Sequence, residues 1–268
     1  MNRPTRHLMR TSAAIAALAL LAGACGDDGG SSDSSTTGFS LVKSGTLTVC
    51  SDIPYAPFEY EDGGKIVGID IEIIEAIATG LSLKTNFVDT DFDGIFAALA
   101  AKKCDLIASS VTITDERKKT NDFSDGYYEI SQSLLVRSGD ATKYTDLPTL
   151  KGKTVGVQSE TTGAEFAKAQ ATANGYSVKE FTGADDMFTA LKATQVDALL
   201  QDYPVNAYRA KVGGDSAVTK VFGSNTEAYG YVVSKTNPKL TAKVNEGLAS
   251  LKTKGTYVTI LEKYLGKQ

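Results

Sequence analysis

Histidine and long apolar segments are scarce in this sequence of 268 residues, and acidic residues slightly outnumber basic ones. The single histidine, His7, lies in a predicted targeting segment, so the rest of the chain cannot form a Ser-His-Asp or Cys-His site and lacks the commonest metal ligand. The formal net charge of -4 argues against nucleic acid as a partner. After residue 24, no segment is apolar enough to span a bilayer. We therefore predict no metal and no cofactor.

Residues 1–24 form the predicted signal peptide, in which three arginines precede a short apolar core at 13–22. The run Leu21-Ala22-Gly23-Ala24-Cys25 resembles the lipobox of bacterial lipoproteins, where the cysteine becomes the lipid-modified first residue. Leucine stands one place earlier than in the commonest pattern, and an ordinary secretory signal cut nearby is the alternative. Three arginines and no acids leave with the signal, so the net charge falls from -4 to -7.

Residues 25–38 are predicted to form a flexible tether. After Cys25 this segment contains only Gly, Ser, Thr and Asp, so it has no apolar side chain to bury. A lipid on Cys25 would then hold a globular domain on the outer face of the cell membrane.

Two cysteines, Cys50 and Cys104, remain in the predicted globular part. In an exported protein two cysteines suggest a disulfide. Cys50 lies near the end of one predicted strand, whereas Cys104 lies just before the start of another. If these strands are parallel, the two Cα atoms lie at opposite ends of the sheet, beyond the ~7 Å limit for a bridge. We therefore predict that both are buried, unpaired residues.

Strands and helices alternate along the chain in two similar units, which predicts α/β lobes with mainly parallel sheets. The first unit is predicted at 46–50, 70–81, 84–88, 93–101 and 105–109. The second is predicted at 154–157, 162–173, 177–181, 185–193 and 196–200. A strand at 230–234 and two C-terminal helices are expected to return to the first lobe. Lobe 1 is then 39–128 with 229–268, lobe 2 is 129–228, and the two crossings form a hinge beside a cleft.

The strand at 105–109 is followed by three hydroxyl side chains and a guanidinium, those of Ser109, Ser110, Thr112 and Arg117. Ligands of open α/β sheets bind outside the carboxyl ends of the strands. Hydroxyl groups accept hydrogen bonds from an ammonium group, and an arginine binds a carboxylate through two parallel bonds. The group therefore suits a free amino acid. The alternative is that Thr114 caps a helix on which Arg117 is merely an exposed charge.

Several segments in a fixed order make residues 45–266 similar to the family 3 bacterial solute-binding proteins, the polar amino acid receptors of ABC importers. They are Asp52-Ile53-Pro54-Tyr55-Ala56-Pro57-Phe58-Glu59, Gly68-Ile69-Asp70-Ile71-Glu72-Ile73, Thr112-Ile113-Thr114-Asp115-Glu116-Arg117, Asp122-Phe123-Ser124-Asp125-Gly126-Tyr127-Tyr128 and Leu150-Lys151-Gly152-Lys153-Thr154-Val155-Gly156-Val157. The resemblance implies a periplasmic-binding-protein-like α/β fold with two lobes around a ligand cleft.

The resemblance also implies a role for each matching residue. Tyr55 and Phe92 would sandwich the ligand side chain, although either alone is typical of a core. The α-ammonium and α-carboxylate would be bound by Ser109, Ser110, Thr112, Arg117, Thr162 and Asp202, with Thr162 acting at a helix N-terminus. Asp202 could equally cap the next helix.

Side-chain selectivity is predicted from Asp52 and Gln158. Asp52 with the serine pair resembles receptors for lysine, arginine, ornithine or histidine, but it also occurs in glutamine receptors. Gln158 suits a guanidinium or an amide. We expect a cationic amino acid first and glutamine second.

The expected protein is a monomeric, lipid-anchored receptor that delivers a small amino acid to an ABC permease and is not an enzyme. Two alternatives remain open. One is a dehydratase of prephenate-like acids on the same fold, with Glu59 or Glu160 as acid or base. The other is a sensory amino acid receptor without transport.

Overall fold

The computed structural model describes residues 38–267. The predicted signal peptide, Cys25 and all but the last residue of the predicted tether lie outside the described residues. No helix within 38–267 is long and apolar enough to cross a membrane.

Helices and strands alternate along most of the described chain. The strands are β1 Thr46–Ser51, β2 Tyr60–Asp62, β3 Lys65–Val67, β4 Lys84–Asp89, β5 Leu106–Ile107, β6 Asn121–Phe123, β7 Tyr128–Arg137, β8 Thr154–Gln158, β9 Ser177–Phe181, β10 Ala198–Asp202, β11 Ser216–Tyr229 and β12 Val232–Ser234. The α-helices are α1 Ile69–Gly80, α2 Phe92–Ala100, α3 Asp115–Thr120, α4 Thr162–Asn174, α5 Ala184–Lys192, α6 Tyr203–Gly213, α7 Pro238–Thr253 and α8 Thr256–Leu265.

Lobe 1 is built on a five-stranded sheet with the order β4-β1-β5-β12-β6. Only the half formed by β4, β1 and β5 is parallel, because β12 pairs antiparallel with both β5 and β6, so the parallel sheet expected from the sequence is found in part. Helix α1 presents the buried side chains of Ile73, Ile74 and Ile77 to the core and packs against α7 and α8. The C-terminal helices α7 and α8 therefore pack beside α1.

Lobe 2 is built on a second five-stranded sheet with the order β11-β7-β10-β8-β9. The chain enters it between β6 and β7 and leaves it between β11 and β12, so it crosses between the sheets twice. The predicted α/β fold with two lobes is confirmed. The exact lobe boundaries at 128/129 and 228/229 stay a prediction, and they lie next to the start of β7 and the end of β11.

The long antiparallel pair of β7 and β11 was not predicted. Its register joins Arg137 to Ser216 at one end and Tyr128 to Tyr229 at the other. Both crossings therefore emerge side by side, from the same end of one strand pair.

The prediction that Cys50 and Cys104 are unpaired is wrong. They form a disulfide, and their Cα atoms are 5.7 Å apart. The prediction treated Cys104 as lying in line with a long strand, but β5 contains only two residues, and Ile107 is the partner of Cys50 in the sheet. Cys104 instead lies in the turn after α2, in the same apolar cluster as Cys50 and the buried face of α2. The bridge therefore runs across the face of the sheet.

Candidate ligand-binding site

One cavity between the two sheets gathers every predicted ligand-binding residue. It encloses about 300 Å³, part of which is open to solvent. Its lining residues are Asp52, Tyr55, Phe92, Ser109, Ser110, Thr112, Arg117, Gln158, Thr161, Thr162 and Asp202. Most of them follow the carboxyl ends of β1, β5, β8 and β10, where side chains of both lobes converge.

Arg117 reaches the cavity from the short helix α3. The Thr114 hydroxyl caps this helix by accepting a hydrogen bond from the Arg117 N–H group, 3.1 Å away. The helix cap is therefore real, but it does not leave the guanidinium exposed. Nη1 donates to the Thr112 carbonyl at 3.0 Å, and Nη2 donates across the cleft to the Glu160 carbonyl at 2.8 Å. Burial lowers the pKa of the guanidinium, which remains a cation because an arginine pKa starts so high.

Aromatic rings support the Arg117 side chain. Its Cζ atom lies 5.5 Å from the ring centroid of Phe92 and 5.4 Å from that of Phe96. Phe92 is only 7 % exposed and Tyr55 8 %, and each belongs to an apolar cluster as well as to the cavity wall. The core and the ligand-site interpretations of these two aromatics are therefore compatible.

Asp202 is the carboxylate on the lobe 2 side. It ends β10, and its side chain makes no capping bond to α6, so the capping alternative is not observed. Its Oδ2 accepts hydrogen bonds from the hydroxyls of Tyr229 at 2.5 Å and Tyr55 at 3.1 Å, and its Oδ1 accepts one from Gln132 Nε2 at 2.6 Å. Burial raises the pKa of Asp202, and these donors oppose the rise because they stabilise the ionised form.

Asp52 and Gln158 meet across another part of the cavity. Gln158 Nε2 donates to Asp52 Oδ2 at 2.6 Å, which joins the end of β8 to the loop after β1. The pKa of Asp52 is raised to about 7: burial is the main cause, the Gln158 bond opposes the rise, and the charges of Asp89, Asp91 and Asp93 add to it. The electrostatic potential in this part of the cavity is therefore strongly negative whenever Asp52 is ionised.

The two serines after β5 are held by buried carboxyl groups. Ser109 Oγ donates to Glu59 Oε1 at 3.0 Å, and the Ser110 N–H group donates to Asp70 Oδ2 at 2.9 Å. Both acids are fully buried, and burial raises the pKa of each. Ser110 has a φ of +49°, a left-handed conformation that is costly without such support. The two acids thus fix the turn that forms this wall.

A glycine fixes the position of Asp70. Gly68 has a φ of +138°, and a Cβ atom there would lie 2.0 Å from the Phe58 carbonyl oxygen. Only glycine permits this approach, which allows the Asp70 N–H group to donate to the same carbonyl at 3.0 Å. The first turn of α1 therefore places the Asp70 carboxyl behind the cavity wall, where it accepts the hydrogen bond from the Ser110 N–H group.

The hydroxyl groups of Thr112 and Thr162 lie 3.4 Å apart, one from each lobe. Thr162 is the first residue of α4, as predicted, and the helix is capped by Thr161, whose hydroxyl accepts a hydrogen bond from the Ala164 N–H group. A helix N-terminus therefore faces the cavity from lobe 2, close to Arg117 from lobe 1, and both favour an anionic group.

Sequence reasoning missed several polar contributors to the site. Gln132 Nε2 donates to Glu227 Oε2 at 3.0 Å and also to Asp202. Neither Gln132 nor Glu227 was predicted. Thr161 lines the cavity and caps α4, a role that its position before a predicted helix could have indicated. Glu160 has an exposed side chain. Among residues 38–267, no three His, Cys, Asp or Glu side chains form a possible metal site.

Comparison with known proteins gives consistent matches over the same region. The family model for bacterial extracellular solute-binding proteins, family 3, matches residues 47–267. The chain is 33 % identical to the lysine/arginine/ornithine-binding periplasmic protein of Escherichia coli K12 over 230 residues, covering 82 % of this chain and 87 % of that protein.

Solved structures with the same fold include two ancestral proteins. One is an ancestral arginine-binding protein bound to arginine, with a TM-score of 0.78, 39 % identity and coverage of 83 % of this chain and 99 % of that one. The other is the ancestral amino acid-binding protein AncCDT-1, a precursor of cyclohexadienyl dehydratase, with a TM-score of 0.77, 36 % identity and coverage of 82 % and 96 %.

Proposed function

Because the chain belongs to the bacterial extracellular solute-binding proteins of family 3, we propose that it captures a polar L-amino acid, preferably a cationic one, for an ABC importer. The ligand would lie in the cavity between the lobes. Glutamine is the second candidate ligand.

One observation carries this proposal: opposite charges from the two lobes line one small cavity. Arg117 comes from lobe 1 and Asp202 from lobe 2, and both line the space of about 300 Å³. A free amino acid has a carboxylate and an ammonium group on the same carbon atom. The guanidinium and the N-terminus of α4 suit the carboxylate, while Asp202 suits the ammonium group.

The preference for a cationic side chain follows from the charges around Asp52. Three further acids, Asp89, Asp91 and Asp93, act on it electrostatically. Arg117 is the only basic residue that lines the described cavity, and it is assigned to the ligand carboxylate. A positive side chain would therefore be attracted to Asp52, whereas a glutamate or aspartate side chain would be repelled. The similarity to lysine/arginine/ornithine-binding and arginine-binding proteins supports the same preference.

Closure of the lobes would be linked to binding. The hydrogen bonds that join the lobes include those from Tyr55 to Asp202, from Gln158 to Asp52 and from Arg117 to the Glu160 carbonyl. A zwitterion between them would add contacts to both lobes that only the closed form can make together. At up to about 1 kcal/mol for each of about ten heavy atoms, binding of about 8 kcal/mol and a Kd near 1 μM are attainable.

A thermal-shift screen tests the proposed ligand class. Purified protein would be heated with each of the twenty amino acids, ornithine and citrulline, and positive ligands would be measured by calorimetry. A tight ligand raises the melting temperature by mass action, so arginine, lysine, ornithine or histidine should give the largest shift. Glutamate is the matched control, since it keeps the zwitterion and reverses the side-chain charge. A larger shift with glutamate would refute the preference, and no shift with any amino acid would refute the ligand class.

The similarity to a dehydratase precursor makes an enzyme the second candidate function. Neither of the acids considered for catalysis lines the cavity. Glu59 is fully buried against Ser109, and the Glu160 side chain is exposed. We therefore propose a binding protein rather than a dehydratase. Incubation with a prephenate-like acid should give no aromatic product, and product formation that requires Glu59 would overturn this proposal.

The proposed importer would require attachment near a membrane permease, and the pattern before Cys25 supports a lipid anchor. The lysine/arginine/ornithine-binding relative from Escherichia coli K12 is a periplasmic protein. Metabolic labelling with a fatty-acid analogue should mark the wild-type protein but not a Cys25→Ala variant. Loss of uptake when the receptor is deleted would separate transport from a purely sensory role.

A further inference from the structure

Tyr229 does not line the ligand cavity, but it contacts a lining residue on each side of it. It is the last residue of β11, at the second crossing between the sheets, and it is fully buried. Its hydroxyl donates to Asp202 Oδ2 at 2.5 Å. Its backbone forms an isolated antiparallel bridge with Thr112 on the lobe 1 side. Tyr229 is thus hydrogen-bonded to Asp202 on the lobe 2 wall and paired with Thr112 on the lobe 1 wall.

The Tyr229 ring is held on two faces, so the position of its hydroxyl is fixed by packing. It stacks on Tyr128, its partner in the strand register, with centroids 6.3 Å apart and an angle of 24°. Phe58 meets it edge-on, with centroids 5.2 Å apart and an angle of 89°. A donor held in this way needs no reorganisation when a ligand arrives.

The three donors to Asp202 differ in the sheet that carries them. Tyr55 belongs to the lobe 1 side, whereas Gln132 and Tyr229 lie on β7 and β11, in the same sheet as Asp202. Separation of the lobes would remove the Tyr55 bond. The bonds from Gln132 and Tyr229 would remain, because β7 lies between β10 and β11 and pairs with both.

We propose that Tyr229 is a positioning residue that fixes the Asp202 carboxylate toward the cleft, so that the ammonium site is prepared before the lobes close. This rests on the proposed role of Asp202 as the ammonium ligand. The residue does not touch the ligand; it acts through Asp202.

The proposal has an electrostatic consequence. The groups that face Asp202 are the donors Tyr55, Tyr229 and Gln132, the like charge of Glu227 and the more distant cation of Arg117. Burial raises the pKa of Asp202, and the Tyr229 bond is the first of the effects that lower it. Removing this hydroxyl should therefore raise the pKa of Asp202, so that an ionised Asp202 requires a higher pH.

The test compares Tyr229→Phe with Tyr231→Phe. Tyr231 is also fully buried beside the same crossing and stacks on Tyr127 with centroids 4.4 Å apart, but its hydroxyl has no hydrogen-bond partner among the described residues. Both variants keep the ring and lose one hydroxyl. Arginine binding would be measured by calorimetry from pH 5 to pH 8, and the Asp202 carboxyl would be titrated by carbon-13 NMR in ligand-free protein.

Tyr229→Phe should weaken arginine binding about tenfold near pH 5.5 and less at pH 8. It should also raise the Asp202 titration midpoint, while Tyr231→Phe changes neither. Equal effects of the two variants, or a loss by Tyr229→Phe that is the same at every pH, would overturn the positioning role. If wild-type protein binds no amino acid but the Asp202 midpoint still rises in Tyr229→Phe, the proposed function fails and the positioning of Asp202 stands.

Discussion

The two lobes bring their charged groups to the cleft by different structural means. In lobe 1, Arg117 comes from a six-residue helix, and Ser110 sits in a left-handed turn held by the buried carboxyl of Asp70. In lobe 2, Asp202 ends a strand that is paired on both sides, by β7 and β8. Lobe 1 therefore depends on turns that side chains hold in place, whereas lobe 2 presents its carboxylate from the regular hydrogen bonding of a sheet.

This difference determines how each lobe should respond to substitution. A turn held by one or two buried side chains loses its geometry when either is removed. A central strand keeps its backbone, so a substitution at its end changes the chemistry of the site and little else. Substitution of the side chains that hold the lobe 1 turns should therefore lower binding and stability together, while lobe 2 variants should lose binding alone.

The largest expected effect is that of Arg117→Ala. It should weaken binding of the preferred amino acid by about 2–5 kcal/mol, because the ligand carboxylate would be buried without its charged partner. Calorimetry measures the loss. Arg117→Lys is the matched control, since it keeps the charge but not the two parallel donors, and it should recover only part of the affinity. Near-normal binding by Arg117→Ala would remove this residue from the site.

Breaking the disulfide should be the next largest change, and it should affect lobe 1. The bridge joins residues 54 apart in sequence, so its removal should lower the free energy of unfolding by about 2–4 kcal/mol. Urea unfolding with and without a reductant measures this. A Cys50→Ala, Cys104→Ala double variant is the control, because its stability should not respond to reductant.

The disulfide should also affect the ligand. Cys50 and Cys104 share a cluster with Phe92, which lines the cavity and supports the Arg117 guanidinium. Loosening this cluster should weaken arginine binding modestly. A reduced protein with unchanged stability and unchanged affinity would contradict the role assigned to the bridge.

Asp202→Asn tests lobe 2. It replaces the carboxylate on a strand that stays paired, so stability should change little while every amino acid binds about 1.5–3 kcal/mol more weakly, the range for a hydrogen bond to a charged group. Calorimetry with arginine and glutamine, together with urea unfolding, separates the two effects. A large loss of stability with intact affinity would reverse the proposed contrast between the lobes.

Cleft-facing polar residues explain which parts of the fold were predictable. Two helices were predicted nearly in full: α1 was expected at 70–81 and spans Ile69–Gly80, and α4 was expected at 162–173 and spans Thr162–Asn174. The strand β7 was missed, because its buried segment contains Ser131, Gln132 and Ser133. These side chains serve the cleft and the β10 contact, and they interrupt the apolar pattern that identifies a strand.

The residues of the candidate site likewise fall into predicted and missed ones. All ten predicted ligand-binding residues line one cavity. They could be predicted because they lie at strand ends or in the family motifs, which are visible in the sequence. Gln132 and Tyr229 were missed because they lie on the two unrecognised strands. Their approach to Asp202 depends on the pairing of β10, β7 and β11, which no local pattern in the sequence reveals.

The smallest expected effect is the pH dependence that Asp52 gives to the affinity for arginine. Burial raises the pKa of Asp52 to about 7 in the ligand-free protein, and a cationic side chain beside it should lower that value. Arginine affinity should therefore be constant above about pH 7 and fall as the pH drops below it, by at most tenfold per unit from this one group. Asp52→Asn should remove this dependence and shift the preference from arginine toward glutamine.

Ligand-free stability should show the opposite trend. Because the folded pKa of Asp52 lies above the unfolded value of 3.8, its contribution to stability is fully present below pH 3.8 and is lost as the pH rises through about 7. Asp52→Asn should therefore be more stable than wild type at pH 8 and gain less, or nothing, at pH 5, as measured by urea unfolding. An equal stability difference at both pH values would show that Asp52 is not buried as a high-pKa acid. If the stability difference is instead larger at pH 8, the free-energy cost of ionising the buried Asp52 is what a cationic ligand side chain offsets when it binds in the closed cleft.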